Sequence, residues 1–220
     1  FETQWGGKTL SIEVGKYAQQ ANGSCMVQYG DTVVLATATM SEETREGLDF
    51  FPLTVEFEER FYAAGRIKGS RFMKTEGRPT DNAILMARFV DRAIRPLFDD
   101  RIRNEVQVVV TCLSFDGKND PDILGLIAAS CALHISDIPW NGPIADIRIG
   151  QINGEWVINP TYEARGKSDL DLAFAGTPEK IIMVEAECNQ VSEQIILDAF
   201  WFGQKHLKDP IKLIGDVQKE

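Results

Sequence analysis

Three arginines at helical spacing are the residues of this sequence best suited to binding an anion. Arg88, Arg92 and Arg95 are separated by four and three residues, which places them on one face of a helix. The planar guanidinium group donates two hydrogen bonds at once, so such a face can bind a phosphate or a nucleic-acid backbone. The alternative is internal salt bridging, for example between Asp91 and Arg95. Spacing alone favours the salt bridges.

A glycine-rich basic segment, residues 63–78, comes directly before these arginines. Its three glycines and five basic residues are Gly65, Gly69, Gly77, Arg66, Lys68, Arg71, Lys74 and Arg78. Glycines at this density predict a long mobile loop. Because the N-terminus of a helix attracts anions, Gly77-Arg78-Pro79 extends the candidate anion-binding surface.

Hydrophobic periodicity predicts the elements that must position these residues. Strands are predicted at Lys8–Val14, Ser24–Gln28, Thr32–Met40, Pro52–Glu58, Val106–Phe115, Ile144–Ile152, Glu155–Ile158, Leu170–Ala175 and Lys180–Ala186. Helices are predicted at Thr80–Leu97, Pro121–His134 and Ser192–Lys208, and the second of these is apolar nearly all round. Strands first, and then strands interleaved with helices, are typical of one α+β domain whose sheets are covered by helices.

The composition is that of an ordinary globular protein. The chain has 220 residues, of which 44% are hydrophobic and 25% charged, and this is enough to bury a core without disulfides. A net charge of −10 argues against a broad nucleic-acid-binding surface and leaves room for a local basic patch. We find no leader and no apolar run of membrane-spanning length, so we expect neither secretion nor membrane insertion.

The cysteines, the histidines and the chain ends give further expectations. No two cysteines have a metal-binding spacing, so we expect buried free thiols in a reducing cytoplasm at Cys25, Cys112, Cys131 and Cys188. His134 is predicted at the end of a helix and His206 within the C-terminal helix, and neither has a predicted catalytic role. Because the chain begins without a methionine and stops on a polar run, we expect a fragment of a longer protein.

A series of sequence strings in a fixed order resembles the polynucleotide phosphorylase family. The strings are Phe50–Val55, Tyr62–Ile67, Glu76–Thr80, Asp91–Phe98, Asn104–Val108, Asn141–Ile144 and Asn159–Thr161. The resemblance spans essentially all 220 residues, so it is far more specific than any one short motif.

The resemblance implies an RNase PH-like fold (ribosomal protein S5 domain 2-like), in which mixed sheets pack against helices. Residues 1–220 would be the first of two RNase PH-like halves, followed by a helical linker, the second half, and KH and S1 modules. Bacterial members use inorganic phosphate to remove nucleoside diphosphates from the 3′ end of mRNA, and they form ring-shaped homotrimers around an RNA channel. The implied protein is a cytoplasmic polyribonucleotide nucleotidyltransferase. Its implied partners are single-stranded RNA, the second half and other RNA-degradation proteins, and no membrane.

In this family, catalysis belongs to the second half, where a serine-rich turn before the buried helix holds phosphate. The matching turn here is Gly117–Asp122, in which Asp120 and Asp122 would repel phosphate. A like-charge contact at about 4 Å costs roughly 1 to 4 kcal/mol, and Pro121 also removes an N–H donor. The resemblance therefore implies that Mg²⁺ and inorganic phosphate are bound mainly by the second half. It implies no required cofactor and no catalytic residue in this one.

A carboxylate pair is a separate candidate for metal binding. The catalytic half of the family carries two aspartates six residues apart, and Glu163 and Asp169 have this spacing here, followed by Asp171. Carboxylates are suitable ligands for a hard divalent cation. Solvated carboxylates around a turn are the simpler interpretation.

The family also presents an aromatic-aromatic-basic-basic loop to the RNA channel. The matching residues here are Phe72-Met73-Lys74-Thr75, so the second aromatic and the second basic residue are replaced. An aromatic ring stacks on any nucleobase, and Arg71 can supply the missing charge. The implied RNA-binding residues are Arg66, Arg71, Phe72, Met73, Lys74 and Arg78.

Two other functions stay open on the sequence. A self-sufficient phosphorolytic enzyme of the RNase PH type would need Ser, Thr or Arg where this chain has Asp120-Pro121-Asp122. A scaffold that never binds RNA would not need the basic segment between Arg66 and Arg78.

Overall fold

A computed structural model describes residues 1–44, 47–67, 69 and 77–220. The strands of the described residues are β1 (Glu2–Trp5), β2 (Lys8–Val14), β3 (Gly23–Tyr29), β4 (Thr32–Thr44), β5 (Leu53–Glu59), β6 (Asn104–Ser114), β7 (Ala145–Ile152), β8 (Glu155–Ile158), β9 (Leu170–Gly176) and β10 (Ile181–Cys188). Their α-helices are α1 (Asp81–Ile94), α2 (Pro121–His134), α3 (Tyr162–Arg165), α4 (Glu193–Gln204) and α5 (Lys208–Gln218). Two 3₁₀ helices, Phe61–Ala64 and Arg95–Leu97, complete the described elements. The predicted α+β class is confirmed.

The strands form two sheets. One sheet has the order β1-β2-β3-β4-β6-β5, in which β5 and β6 are parallel and the other pairs antiparallel. The other sheet has the antiparallel order β10-β9-β7-β8. The β7–β8 hairpin turns at Asn153 and Gly154, both with positive φ, as a two-residue turn of this type requires.

Helix α2 lies at the centre of the molecule and contacts strands of both sheets. Twelve of its fourteen residues are buried, so the prediction of a buried helix is confirmed. Gly125 is needed for this packing because a Cβ atom there would lie 2.9 Å from the ring of Phe57. The N-terminus of α2 is thereby fixed next to β7 and β9, where the candidate site lies.

Helix α1 is shorter than predicted. Thr80 caps it, accepting a hydrogen bond of 3.0 Å from the amide of Ala83, and the α-helix ends at Ile94. Residues Arg95–Leu97 continue as a 3₁₀ helix because Pro96 has no N–H for an α-helical hydrogen bond.

The C-terminal prediction was wrong in one respect. The single helix expected at Ser192–Lys208 is two helices, α4 and α5, and His206 lies in the turn between them. Strand β1 and the short helix α3 were not predicted. His134 does end α2, as expected.

The cysteine prediction holds for three of the four thiols. Cys25, Cys112 and Cys131 are buried free thiols, but Cys188, the last residue of the edge strand β10, is exposed. None of the helices in the described parts is long and apolar enough to cross a membrane.

Candidate functional site

In the turn before α2, residues 116–122, backbone amides donate hydrogen bonds to carboxylates of the same turn. Oδ1 of Asp116 accepts hydrogen bonds from the amides of Lys118 and Asn119, at 2.7 and 2.8 Å. Oδ1 of Asp120 accepts one from the amide of Asp122 at 3.2 Å, and Pro121 has no N–H to offer. Three N–H groups of this turn are therefore already occupied by its own carboxylates.

Behind the turn, two carboxylates alternate with two guanidinium groups. Asp120 lies 3.0 Å from Nε of Arg148 and 2.9 Å from Nη1 of Arg165. Asp171 lies 2.8 Å from Arg148 and 2.8 Å from Arg165, at its other oxygen. The side chains of Asp120 and Arg148 are only 6% and 11% exposed. These four residues, the ion-pair network, balance two positive charges against two negative ones.

Asp122 and Tyr162 border the ion-pair network. Asp122 lies 3.9 Å from Arg148, and its buried Oδ1 has no hydrogen-bond partner among the described residues. Burial, and then the nearby charge of Asp120, raises the pKa of Asp122 well above its ordinary value. The Tyr162 hydroxyl lies 3.5 Å from Oδ1 of Asp120, and burial followed by the charge of Asp120 raises the pKa of the phenol. Tyr162 is therefore neutral at physiological pH.

The geometry differs from the expected electrostatics of this turn. The sequence predicted that Asp120 would repel phosphate as an unbalanced anion. Instead, Asp120 is neutralised by Arg148 and Arg165, and both guanidinium groups also pair with Asp171. The sequence analysis missed both arginines. The available signal was a pair of charged residues, Asp146 and Arg148, within a strand that is otherwise mostly apolar.

A second buried acid lies on β7. The side chain of Asp146 is fully buried, and neither of its oxygens has a hydrogen-bond partner among the described residues. Burial raises the pKa of this carboxyl well above its ordinary value. Asp146 is therefore buried in its neutral, protonated form, because burying an isolated carboxylate costs a large amount of free energy.

The three arginines of the α1 region have different surroundings. Arg95 forms a two-point ion pair with Asp91, at 2.5 and 3.0 Å, and also donates to the carbonyl of Leu53 at 3.1 Å. Arg92 pairs across to Glu185 of β10 at 2.6 Å. The salt-bridge alternative thus describes both residues. Arg88 is exposed and has no charged or hydrogen-bonding partner among the described residues.

Arg88 and Arg78 line a cavity of about 460 Å³ between β5 and α1, which we call the arginine cavity. Arg78, like Arg88, has no partner among the described residues. The glutamates that line the same cavity are all engaged: Glu58 pairs with Arg60, Glu59 accepts from Thr80 and Asn82, and Glu56 accepts from Gln107. In the arginine cavity the carboxylates are therefore paired or hydrogen-bonded within the protein, whereas the guanidinium groups of Arg78 and Arg88 can bind an external anion.

The expected anion site at the N-terminus of α1 is not open. The Thr80 side chain caps this end, and its hydroxyl donates to the Glu59 carboxylate at 2.6 Å. Asn82 donates to the other oxygen of Glu59 at 3.0 Å. An internal carboxylate thus lies where the sequence analysis expected an external anion.

The remaining predicted RNA-binding residues fall in the basic segment. Arg66 is exposed at the mouth of a second cavity, of about 270 Å³. Arg71, Phe72, Met73 and Lys74 lie outside the described residues.

The structure does not bring the two metal-ligand candidates together into a site. Glu163 is paired with Lys167 at 2.7 Å, which lowers the pKa of the glutamate, and Asp169 accepts a 3.4 Å hydrogen bond from Asn189. Asp171 belongs to the ion-pair network. Among the described residues, no group of three acidic, histidine or cysteine side chains is arranged to hold a metal ion.

Two protein-family models match the chain. Residues 6–139 match the 3′ exoribonuclease family, domain 1, of the RNase PH type, and residues 142–206 match domain 2 of the same family. The solved structure of Rrp46 from rice (Oryza sativa) superposes with a TM-score of 0.78 at 14% identity, covering 96% of this chain and 94% of that one. The predicted RNase PH-like fold is confirmed.

Sequence relatives give a closer likeness. The chain is 55% identical over 220 residues to a polyribonucleotide nucleotidyltransferase of Thermus thermophilus, covering 100% of this chain and 31% of the relative. It is 51% identical over 214 residues to the protein of that name from Finegoldia magna, covering 97% and 30%. The chain thus spans about 30% of the length of the curated relatives it matches.

Proposed function

The chain belongs to the 3′ exoribonuclease family, and we propose that it is the RNA-binding, trimer-building part of a phosphate-dependent 3′→5′ exoribonuclease. The whole enzyme would be a polyribonucleotide nucleotidyltransferase acting in mRNA degradation, as the names of the relatives indicate. The phosphorolytic site of this part would be closed. The observation that carries the proposal is the contrast between the self-neutralised ion-pair network and the unpaired arginines of the arginine cavity.

The closed site follows from what phosphorolysis requires. A phosphate nucleophile must be held by N–H, hydroxyl or cationic donors that are free to receive it. Here Asp116 and Asp120 occupy the amides of the turn, and Asp120 and Asp171 occupy Arg148 and Arg165. A phosphate would have to displace carboxylates that are already buried and paired, which costs several kcal/mol.

RNA binding is supported by the local charge. Residues 66–78 contain five basic residues against one acidic residue, Glu76, although the chain as a whole carries −10. Arg66, Arg78 and Arg88 extend this basic region onto the described surface, where no carboxylate pairs with them. Guanidinium groups without an internal partner are free to bind backbone phosphates, and such contacts position a strand without selecting its sequence.

The wider assignments follow from the same proposal. Mg²⁺ and inorganic phosphate would be bound mainly by another part of the enzyme, since Glu163 is paired with Lys167 and Asp171 with Arg148 and Arg165. The partners would be single-stranded RNA, a second RNase PH-like half, two further copies in a homotrimer and other RNA-degradation proteins, all in the cytoplasm. The chain would continue into a helical linker and KH and S1 modules.

The two alternatives predict different behaviour. A self-sufficient phosphorolytic enzyme needs an available phosphate site, which the occupied turn disfavours. A scaffold that never binds RNA would leave Arg78 and Arg88 without a purpose.

RNA binding can be tested with two arginines of the same helix. We expect Arg88→Ala to weaken binding of single-stranded RNA and to reduce the slope of log affinity against log salt by about one. Arg92→Ala is the matched control, because Arg92 already pairs with Glu185 and we expect a smaller change. The measurement is fluorescence anisotropy with labelled oligo(A) over a salt series. Equal effects of the two substitutions, or none, would count against the arginine cavity as an RNA site.

A further inference from the structure

A second cavity adjoins the arginine cavity and has a different lining. It has a volume of about 270 Å³ and shares Phe57 and residues 59–61 with its neighbour. Its walls include the rings of Phe115 and Tyr162, which meet edge to face at 6.0 Å, together with Met86, Cys112 and Pro121. Glu59, Arg60, Arg66 and Asn82 supply polar groups, so the cavity, which we call the aromatic cavity, is mainly apolar with a polar margin.

We propose that the aromatic cavity binds one nucleobase of a single-stranded RNA whose backbone contacts Arg66, Arg78 and Arg88. This inference rests on the proposed RNA-binding function and adds a base-binding subsite that the unpaired arginines do not provide. The volume lies just below the range of roughly 300–1,000 Å³ that is usual for pockets of drug-sized ligands, so it suits a single base. Aromatic and apolar walls accept any nucleobase by stacking.

The polar margin suits a base and its phosphate. Nδ2 of Asn82 donates to Glu59 at 3.0 Å, and no donor among the described residues reaches its Oδ1, which is left to accept from an exocyclic amine. Arg66 is exposed and without a partner among the described residues, so it can bind the phosphate attached to the same nucleotide. The wall common to the two cavities would then carry the strand from Arg66 to Arg78 and Arg88.

Tyr162 links this subsite to the ion-pair network. Its hydroxyl lies 3.5 Å from Asp120, and the Arg165 guanidinium lies 5.3 Å from its ring centre. Asp120 and Arg165, which belong to the ion-pair network proposed to close the phosphate site, therefore also hold the Tyr162 ring at the wall of the aromatic cavity. In this proposal the ion-pair network no longer binds phosphate, and its role is to position Tyr162 for base binding.

An abasic scan tests the proposal. We would measure the affinity of the purified chain for oligo(A) and for versions with one base removed at each position in turn, by fluorescence anisotropy. We expect one position at which removing the base weakens binding about fivefold or more. In Tyr162→Ala, binding of the intact strand should weaken by a similar factor, and the effect of the abasic position should disappear.

Controls separate stacking from misfolding. Tyr17→Ala removes another exposed tyrosine that does not line the cavity, and Tyr162→Phe keeps the ring, so both should retain the abasic effect. If Tyr162→Ala fails to fold, Arg66→Ala at the exposed margin provides the second test and should weaken binding of the intact strand. Thermal melts would establish that each variant is folded.

The other outcomes each contradict a defined claim. An equal loss at every abasic position, in both the parent chain and Tyr162→Ala, would overturn the base-binding cavity while leaving RNA binding intact. Displacement of the RNA by AMP at comparable concentrations would assign the cavity to a free nucleotide and overturn the RNA assignment. No binding of intact oligo(A) would overturn the proposed function itself, and the cavity with it.

Discussion

The guanidinium group of Arg148 on β7 lies 3.0 Å from the carboxylate of Asp120 at the N-terminus of α2. Both side chains are almost completely buried, and each makes a second ion pair, with Asp171 and Arg165 respectively. This pair connects the sheet of β7 and β9 to the central helix. We propose that it also closes the phosphate site of this part of the enzyme.

Asp120→Ser should lower stability and create affinity for phosphate. Serine can still cap α2, so the loss reports the ion pairs rather than the cap. Removing one partner of a buried ion pair costs about 3 kcal/mol, because Arg148 and Arg165 would then share Asp171, with only Asp122, 3.9 Å from Arg148, as a further acid. Inorganic phosphate should supply the missing negative charge and raise the melting temperature of the variant.

The control is Asp100→Ser, which removes an exposed carboxylate outside the network. Phosphate should shift the melting temperatures of this control and of the parent chain to the same small extent. A phosphate shift no larger in Asp120→Ser than in Asp100→Ser would contradict the view that Asp120 stands in for a phosphate.

Asp146→Asn should make the protein less sensitive to rising pH. Burial raises the pKa of Asp146 in the folded protein above its value in the unfolded chain. Below the unfolded pKa the side chain is neutral in both states, so its burial does not reduce the stability of the fold. Stability is then lost as the pH rises towards and through the folded pKa, at up to roughly 1.4 kcal/mol per pH unit. Asparagine does not titrate, so the advantage of Asp146→Asn over the parent should grow with pH above about 4.

Denaturant unfolding at several pH values measures this difference. Asp100→Asn, an exposed acid-to-amide change, is the comparison and should show little pH-dependent advantage. A constant difference between Asp146→Asn and the parent across the pH series would mean that Asp146 is not buried as a neutral acid.

Thr80→Ala should cost about 1 kcal/mol of unfolding free energy. The substitution removes the 3.0 Å hydrogen bond from the Ala83 amide and leaves that N–H of α1 without its cap. Thr80→Ser keeps an accepting hydroxyl and should retain most of the stability in urea unfolding. Equal losses in the two variants would assign the effect to the lost methyl group.

Only one of the four thiols should react rapidly in the native protein. Cys188 is exposed, whereas Cys25, Cys112 and Cys131 are buried. Burial, with a contribution from the nearby Glu59, raises the pKa of Cys112 to about 11, so this thiol is scarcely ionised at pH 8. A thiol titration should therefore detect one fast group that Cys188→Ser abolishes. A second fast group would show that the core opens at the cysteine-bearing strands.

The elements that depend on local pattern could be predicted from the sequence. Helix α2 begins at Pro121 and ends at His134 as expected, because Asp120 caps it and its apolar residues leave no other environment. The break between α4 and α5 was missed. Its signal was Pro210 in the first turn of α5, a part of a helix that accepts proline, but apolar residues continue across the turn at His206.

The site was predictable in position but not in its contacts. The turn at Asp120 and Asp122 was found from its residues and from a family resemblance. Its partners Arg148 and Arg165 come from β7 and α3, and their pairing depends on how two strands and a helix end meet in space. For the same reason, spacing on α1 could not distinguish Arg88 from Arg92, whose partner Glu185 is 93 residues away.

Phosphate-dependent release of nucleoside diphosphate from poly(A) tests the central claim most directly. The purified 220-residue chain would be assayed with Mg²⁺, with and without inorganic phosphate, alongside anisotropy measurements of poly(A) binding. The closed ion-pair network predicts that the chain binds RNA and releases no nucleoside diphosphate above the phosphate-free background. Robust phosphate-dependent release from a homogeneous preparation would contradict the closed site.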